Sequence, residues 1–383
     1  MNRKYSILIA ILFAAFLLLP LPVELIFGEL LPQTGLDENR NRAPWPDRFI
    51  WFRISGKLEA YWNDRIPFRG SALVCCRRFR EKFFKFIPGK AFTGKNGFIF
   101  YTPEGKESPL RQYRGEAHLS HYALERDRKF LKKLKERLDS RKIAFLLVIP
   151  PNKIQVYPEY LPERRRSIAV PLSPDQQLVQ HLRKRQPDIP VLLAGEELRE
   201  AKKFYGDALF YKRDTHWSAV GGCIAALSVC RMLSPAAADF PRPGEFSLKS
   251  SGCPEPGDLE NLVFPTPGKN SFEAAVPVFP RGLFAPAKKA IARAANMKTA
   301  GAMPDYRRYV NPRAPDPRRV LMFGDSFSGN MIPWLSGYFR ELHCVGSARV
   351  RMKIIDEVKP DIVILEMVAR YIHFFPVKLV DLD

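Results

Sequence analysis

Three short, unbroken apolar runs set the strongest limit on what this chain can fold into. They lie within Ile143–Pro151 (IAFLLVIPP), Arg319–Phe327 (RVLMFGDSF, apolar from Val320 to Phe323) and Asp361–Val368 (DIVILEMV). Runs of this length, apolar at successive positions, suit strands buried on both faces, as in a parallel sheet. Amphipathic stretches lie between them. Glu116 to Arg141 reads as a charged helix with Leu119, Tyr122, Phe130, Leu131 and Leu134 as its apolar positions. Asp175 to Arg185 reads as a second helix, followed by the short apolar run Val191–Leu193. Trp217 to Leu233, rich in Ala, Gly and Cys, reads as a close-packing helix, and Gly94–Tyr101 (GKNGFIFY) as a glycine turn feeding a strand. This alternation predicts an α/β fold, a parallel sheet flanked by helices on both faces. A hydrophobic content of 46% supports a sizeable core.

The N-terminus carries a different signal. Arg3 and Lys4 precede Tyr5–Val23, a stretch free of charged residues. A span of roughly 18–20 apolar residues crosses a bilayer as a helix, whereas a cleaved signal has a shorter core and a small-x-small site. The expectation is an uncleaved N-terminal transmembrane anchor over residues 1–27, with the N-terminus cytoplasmic and the remainder periplasmic or otherwise extracytoplasmic. Residues 28–90 read as a stem and residues 91–383 as the main domain. Within it, 234–318 is a Pro/Ala-rich insertion that breaks the helix and strand pattern.

The net charge is +21. Such a balance raises nucleic acid as a partner, but no helix-turn-helix, zinc or RNA-binding signature accompanies it, so no nucleic acid is expected. An acidic lipid surface, an anionic polymer and a merely solvated basic surface remain open. Of the six cysteines, Cys75, Cys76, Cys223, Cys230, Cys253 and Cys344, none forms a Cys-x-x-Cys pair. Cys223 and Cys230 would stand about 10 Å apart along a helix, too far for a disulfide, and read as core residues. Cys253 with Cys344 remains an open pairing.

The chemistry concentrates in two stretches. Tyr211–Gly222 (YKRDTHWSAVGG) places Asp214 two residues before His216 at a helix entry. Arg319–Asn330 runs from a strand into Gly324-Asp325-Ser326. Sites in open parallel sheets form at the carboxyl ends of strands, where Ser326 falls. A serine hydroxyl needs a base, His216, and the base needs an orienting carboxylate, Asp214. A helix starting just after Ser326 would aim free N–H groups at the same point. The Ser326 backbone, Asn330 and Asn152 are the oxyanion candidates. Each motif alone has a plainer meaning. Gly-Asp-Ser is also an ordinary turn, Asp214 is also a fit helix cap, and His216 could be a satisfied surface histidine. His118, His121, His181, His343 and His373 read as lying on amphipathic helices or near the C-terminus, without metal-ligand companions, so no metal and no cofactor are expected.

Taken together, the motifs resemble the alginate O-acetyltransferase family of AlgJ/AlgX type, with an SGNH-hydrolase-like domain. GKNGFIFY, FLLVIPPNKIQVYPEYLP, YKRDTHWSAVGG, GDSFSGN and PDIVILEMVARYI carry the resemblance over roughly residues 91–383. The family is similar in placing Asp-x-His-Trp before Gly-Asp-Ser, the reverse of ordinary SGNH esterases. The resemblance implies that Ser326 is the acyl-bearing nucleophile, His216 the base and Asp214 its partner. It implies O-acetylation of an exported cell-surface polysaccharide, with a membrane-bound O-acyltransferase handing over the acetyl group. Two departures stand out. Ala369 precedes Arg370 where the family would place an acidic residue, and no carbohydrate-binding module is visible. A cell-envelope carbohydrate esterase with the same triad, and a non-catalytic polysaccharide-binding or assembly factor, are the alternatives.

Overall fold

The structure is a computed structural model that describes residues 58–59, 61, 90–167, 171–238, 240–252, 257–259, 273–279, 306–375 and 380–381. The N-terminal anchor region 1–27, nearly all of the 28–90 stem, and Cys75, Cys76 and Cys253 lie outside the described residues. Among the described residues no helix is long and apolar enough to cross a membrane. The chain divides into two compact units, residues 1–88 with 261–268, and residues 89–260 with 269–383. All that follows concerns the second.

In chain order the strands are β1 (Ala91–Thr93), β2 (Ile99–Tyr101), β3 (Ala144–Ile149), β4 (Val191–Leu193), β5 (Ser247–Gly252) and β6 (Glu273–Val278). They continue with β7 (Tyr306–Val310), β8 (Asp316–Phe323), β9 (Phe339–Val345), β10 (Val350–Arg351), β11 (Ile362–Glu366) and β12 (Val380–Asp381). The helices are α1 (Pro109–Tyr113), α2 (His121–Asp139), α3 (Lys153–Val156) and α4 (Pro174–Arg185). After them come α5 (Ala194–Tyr205), α6 (Ala219–Leu233), α7 (Ile332–Tyr338) and α8 (Met352–Val358).

The main sheet has the order β4-β3-β11-β8-β9-β7. The three apolar runs of the sequence become its centre, β3, β11 and β8, paired in parallel with Ile362 level with both Ala144 and Val320. Successive residues of each strand face opposite layers. Leu146, Val148, Val320, Met322, Ile362 and Ile364 pack with α5, α6 and α7. Phe145, Leu147, Leu321, Phe323, Val363 and Leu365 pack with α2, α4 and α8. Continuous apolarity is therefore required, because neither face meets water.

One expectation needs correction: the sheet is mixed. β7 lies antiparallel along β9, with Tyr306 opposite Val345. It arises from the Pro/Ala-rich stretch 234–318, which therefore supplies a sheet edge and the antiparallel β5–β6 pair. His343, read from sequence as a residue of a helix or the C-terminal end, sits buried on β9 and hydrogen-bonds Glu341 at 2.9 Å. Cys223, Cys230 and Cys344 are buried free thiols.

The helix α6 lies nearly all inside the first core layer, which its small residues permit. A Cβ on Gly222 would fall 2.4 Å from the backbone oxygen of Asn330, so glycine is what allows α6 to touch the turn after β8. Gly222→Ala should therefore overpack this contact and cost about 1–3 kcal/mol. A denaturant midpoint identical to wild type would show that the contact is looser than the structure has it.

Candidate active site

The strand order reverses direction of growth around β11, since β3 continues outward to β4 and β8 outward to β9. Open sheets of this kind hold their sites at the carboxyl ends of such central strands. The chain leaving β8 forms Gly324-Asp325-Ser326 and then a short 3-10 helix, Ser326–Asn330, rather than the α-helix expected directly after the serine; α7 follows it. The Asp325 side chain accepts from the backbone N–H of Phe327 at 2.9 Å and of Val368 at 2.8 Å, tying this turn to the chain that leaves β11. Ser326 is thereby held at the surface, exposed, on a rigid support.

The other half of the site comes from the loop before α6. His216 Nε2 lies 2.7 Å from Ser326 Oγ, and His216 Nδ1 lies 2.6 Å from Asp214 Oδ1. The three residues proposed from sequence thus stand in one hydrogen-bonded line, although 110 positions separate His216 from Ser326. Asp214 is not the helix cap. Ser218 takes that place, its Oγ accepting from the N–H of Val220 at 3.1 Å and of Gly221 at 3.3 Å. The Asp214 carboxylate instead accepts from the N–H of His216 at 2.8 Å and of Asp258 at 3.0 Å. Burial would raise its pKa, but the hydrogen bond and charge of His216 outweigh this and hold it at about 2. It is an anion across the whole working range, as an orienting group must be.

The two loops are clasped by the residues after each motif. The fully buried Trp217 donates its indole Nε1–H to the carbonyl of Phe327 at 2.8 Å. In return Asn330 Nδ2 donates to the carbonyl of Trp217 at 2.7 Å. The ring of Phe327 stands 4.9 Å from that of His216. Asn330 therefore has an observed part in joining the loops. Asn152, the other side-chain oxyanion candidate, is buried at the end of β3 and donates to Gln112 Oε1 at 3.2 Å.

Several groups at the site escaped the sequence reading. Asp258 accepts from Thr215 N–H at 2.6 Å, and its Oδ2 lies 3.7 Å from His216 Nδ1. Partial burial, then the Asp214 charge, push its pKa up. One donor atom each from Asp214, His216 and Asp258 lies within 4.8 Å of the others, a spacing that a cation could use. In this structure those atoms already hold the imidazole and the loop backbone in place. Glu366 ends β11 fully buried, its Oε2 accepting the Asp325 N–H at 2.9 Å. Burial first, and then the charge of Asp325, push its pKa up, with the charge of Arg370 opposing. No Asp-x-His spacing announces such residues; only the strand-end position of Glu366 hinted at it.

Lys153 is the least expected. It begins α3 with its amine buried, donating to the carbonyls of Ile99 and Lys212 at 3.0 Å each. It thus pins β2 to the segment that leads into Asp214.

A family model for the "SGNH hydrolase-like domain, acetyltransferase AlgX" matches residues 92–298, over half of the chain. The chain belongs to this family. It is AlgJ/AlgX-like, and the matched stretch contains Asp214 and His216 but ends before Ser326. A relative in Pseudomonas aeruginosa described as "Probable alginate O-acetylase AlgJ" is 29% identical over 174 residues, 44% of this chain and 40% of that protein. The match thus spans well under half of that relative's length. Among solved structures, Bacillus cereus PatB1 is similar at 14% identity and a TM-score of 0.47, covering 66% of this chain and 91% of that one. The "O-Acetyltransferase Domain of Pseudomonas putida AlgJ" is similar at 19% identity and a TM-score of 0.41, covering 74% and 92%.

Burial lowers the Lys153 pKa from 10.5 to about 7, partly opposed by the charges of Asp214 and Asp258. The folded state therefore binds fewer protons than the unfolded state between these values, and stability rises with pH across that interval. Below it the full penalty of a buried ammonium remains. Urea unfolding at neutral and at moderately alkaline pH should show this rise, and Lys153→Met should flatten it. An equal slope in both proteins would refute the buried amine.

Proposed function

We propose that this chain is an O-acetyltransferase that esterifies hydroxyls of an exported cell-surface polysaccharide through an acetyl-Ser326 intermediate. The observation that carries the reading is the Asp214–His216–Ser326 line, with its 2.6 and 2.7 Å contacts. In the first half-reaction Ser326 Oγ attacks the carbonyl carbon of an acetyl donor as His216 Nε2 takes the hydroxyl proton. The tetrahedral intermediate collapses, the donor C–O bond breaks, and His216 returns the proton to the leaving oxygen. In the second half-reaction His216 takes the proton of a sugar hydroxyl, whose oxygen attacks the acetyl carbon. Ser326 Oγ leaves and regains the proton. Asp214 keeps the Nδ1–H tautomer and stabilises the imidazolium that forms twice per cycle. The backbone at Ser326, with Asn330 or Asn152, supplies the oxyanion donors in this reading.

The wider setting belongs to the same proposal. Residues 1–27 anchor the chain with its N-terminus cytoplasmic and residues 91–383 on the far side of the membrane. A membrane-bound O-acyltransferase hands over the acetyl group, and a polysaccharide is the acceptor. The family membership supports acetyl transfer over the alternatives. The exposure of Ser326 favours a second reading, a cell-envelope carbohydrate esterase in which water replaces the sugar.

The test uses the full chain in detergent with a chromogenic acetyl ester and an oligosaccharide acceptor. Ser326→Ala and Asp214→Asn should each lower turnover by about 10⁴-fold. Acetylated sugar should appear in the mass spectrum of the wild-type reaction, and an acetylated Ser326 peptide when acceptor is omitted. Free acetate alone would establish the esterase. Turnover untouched by Ser326→Ala would remove the triad altogether.

A further inference from the structure

Asp258 reaches the base from outside both sequence motifs. It lies in the short segment 257–259, after β5, exposed between two buried neighbours. Gly257 is what lets this segment close on the loop before α6. A Cβ there would stand 2.3 Å from the carbonyl oxygen of Arg213 and 3.0 Å from the Asp214 nitrogen. Leu259, on the other side, is 1% exposed. Three hydrogen bonds then join Asp258 to the loop that carries His216. Its backbone N–H donates to Asp214 Oδ2 at 3.0 Å. Its Oδ1 accepts the Thr215 N–H at 2.6 Å, and its Oδ2 accepts the Thr215 hydroxyl.

The last of these contacts decides which way the Thr215 hydroxyl points. A hydroxyl has one proton and turns to suit its partners. Thr215 Oγ1 stands 3.3 Å from His216 Nδ1. Turned toward the ring, it would donate to Nδ1 and favour the tautomer with its proton on Nε2. Such a ring cannot take the Ser326 proton, because Nε2, the atom 2.7 Å from Ser326 Oγ, would already carry one. With its proton committed to Asp258, Thr215 turns a lone pair to Nδ1 instead. Nδ1 then faces acceptors: Asp214 Oδ1 at 2.6 Å, Thr215 Oγ1 at 3.3 Å and Asp258 Oδ2 at 3.7 Å. Asp214 Oδ1 also accepts the His216 backbone N–H at 2.8 Å, so its hold on Nδ1 is shared. Burial and the Asp214 charge push the Asp258 pKa up, while the hydrogen bonds from Thr215 and the charge of His216 draw it down.

We propose that Asp258 is a positioning residue for the acetyl-transfer reaction, fixing His216 in the Nδ1–H tautomer by taking the hydroxyl proton of Thr215. The inference rests on the reading above that His216 is the base. It divides the task of orienting the imidazole between two carboxylates. Asp214 binds the Nδ1–H directly, and Asp258 removes the one rival donor within reach of Nδ1. The backbone bond from Asp258 to Asp214 survives any substitution, so side-chain variants test the carboxylate alone.

The experiment uses the full chain in detergent and two readouts. One is turnover of a chromogenic acetyl ester. The other is nitrogen NMR of protein carrying isotope-labelled histidine, with the His216 signal assigned by its loss in His216→Gln. In Asp258→Asn the amide oxygen serves the Thr215 N–H and the NH2 group faces the hydroxyl, which is left with Nδ1 to donate to. This variant should lower kcat about 10–100-fold while KM for the ester changes less than about twofold. Part of the His216 signal should move to the Nε2–H form. Asp258→Ala also frees the hydroxyl to turn and should act in the same direction, and the NMR signal reads folded protein in either case. Thr215→Val removes the rival proton, so in that background Asp258→Asn should cost less than about threefold in kcat. An unchanged kcat, an unchanged tautomer, or a loss that persists in the Thr215→Val background would each overturn the assignment. Failure of the underlying reading looks different. Ser326→Ala would then turn the ester over like wild type, whereas failure of the Asp258 assignment leaves Ser326→Ala inactive beside a fully active Asp258→Asn.

Discussion

The site depends on a clasp between two loops that are far apart in sequence. Trp217 donates its indole N–H to the carbonyl of Phe327, the residue after Ser326, and Asn330 donates an amide N–H to the carbonyl of Trp217. A nucleophile and a base on separate loops work only when their relative position is held to fractions of an ångström. Here that position is held by the two hydrogen bonds, by Phe327 wedged against both Trp217 and His216, and by Gly222 letting α6 close on the turn. The Ser326 hydroxyl is exposed, while Trp217 and Phe327 beside it are buried.

Around this clasp the protein shifts the pKa values of two acids in opposite directions. Asp214 is partly buried, yet three N–H groups from His216 and Asp258 keep it ionised. Glu366 has one such N–H and an Asp325 carboxylate beside it, and burial pushes its pKa up. The difference lies in the number of donors that each carboxyl meets, since a donor repays desolvation and a second carboxylate adds to it.

The strands at the centre of the sheet were legible because burial on both faces leaves only one pattern, uninterrupted apolarity. The Asp214, His216 and Ser326 set was legible for a related reason: each sits at the end or start of an element whose type the local sequence announces. The edge strand β7 was not. Tyr306–Val310 (YRRYV) carries two arginines on a half-solvated edge and lies in a Pro-rich stretch, so its local signal was that of an excursion. Nor were Lys153 and Asp258 legible as parts of the site. Lys153 acts through its buried amine on two carbonyls, and Asp258 through backbone and hydroxyl contacts to Thr215, none of which leaves a spacing to read. Asp214 shows the converse. Its sequence context fitted a helix cap as well as a partner for His216; Ser218 takes the cap position, and Asp214 hydrogen-bonds His216.

The exposure of Ser326 also constrains how such a site could favour a sugar over water. Burial does not exclude water from an open nucleophile, so selectivity has to come from holding the acceptor. A hydroxyl fixed in line with an acyl-serine reaches effective concentrations of about 10⁵ M or more, far above that of bulk water. Whatever binds the acceptor therefore decides between transfer and hydrolysis, even without touching the reacting atoms.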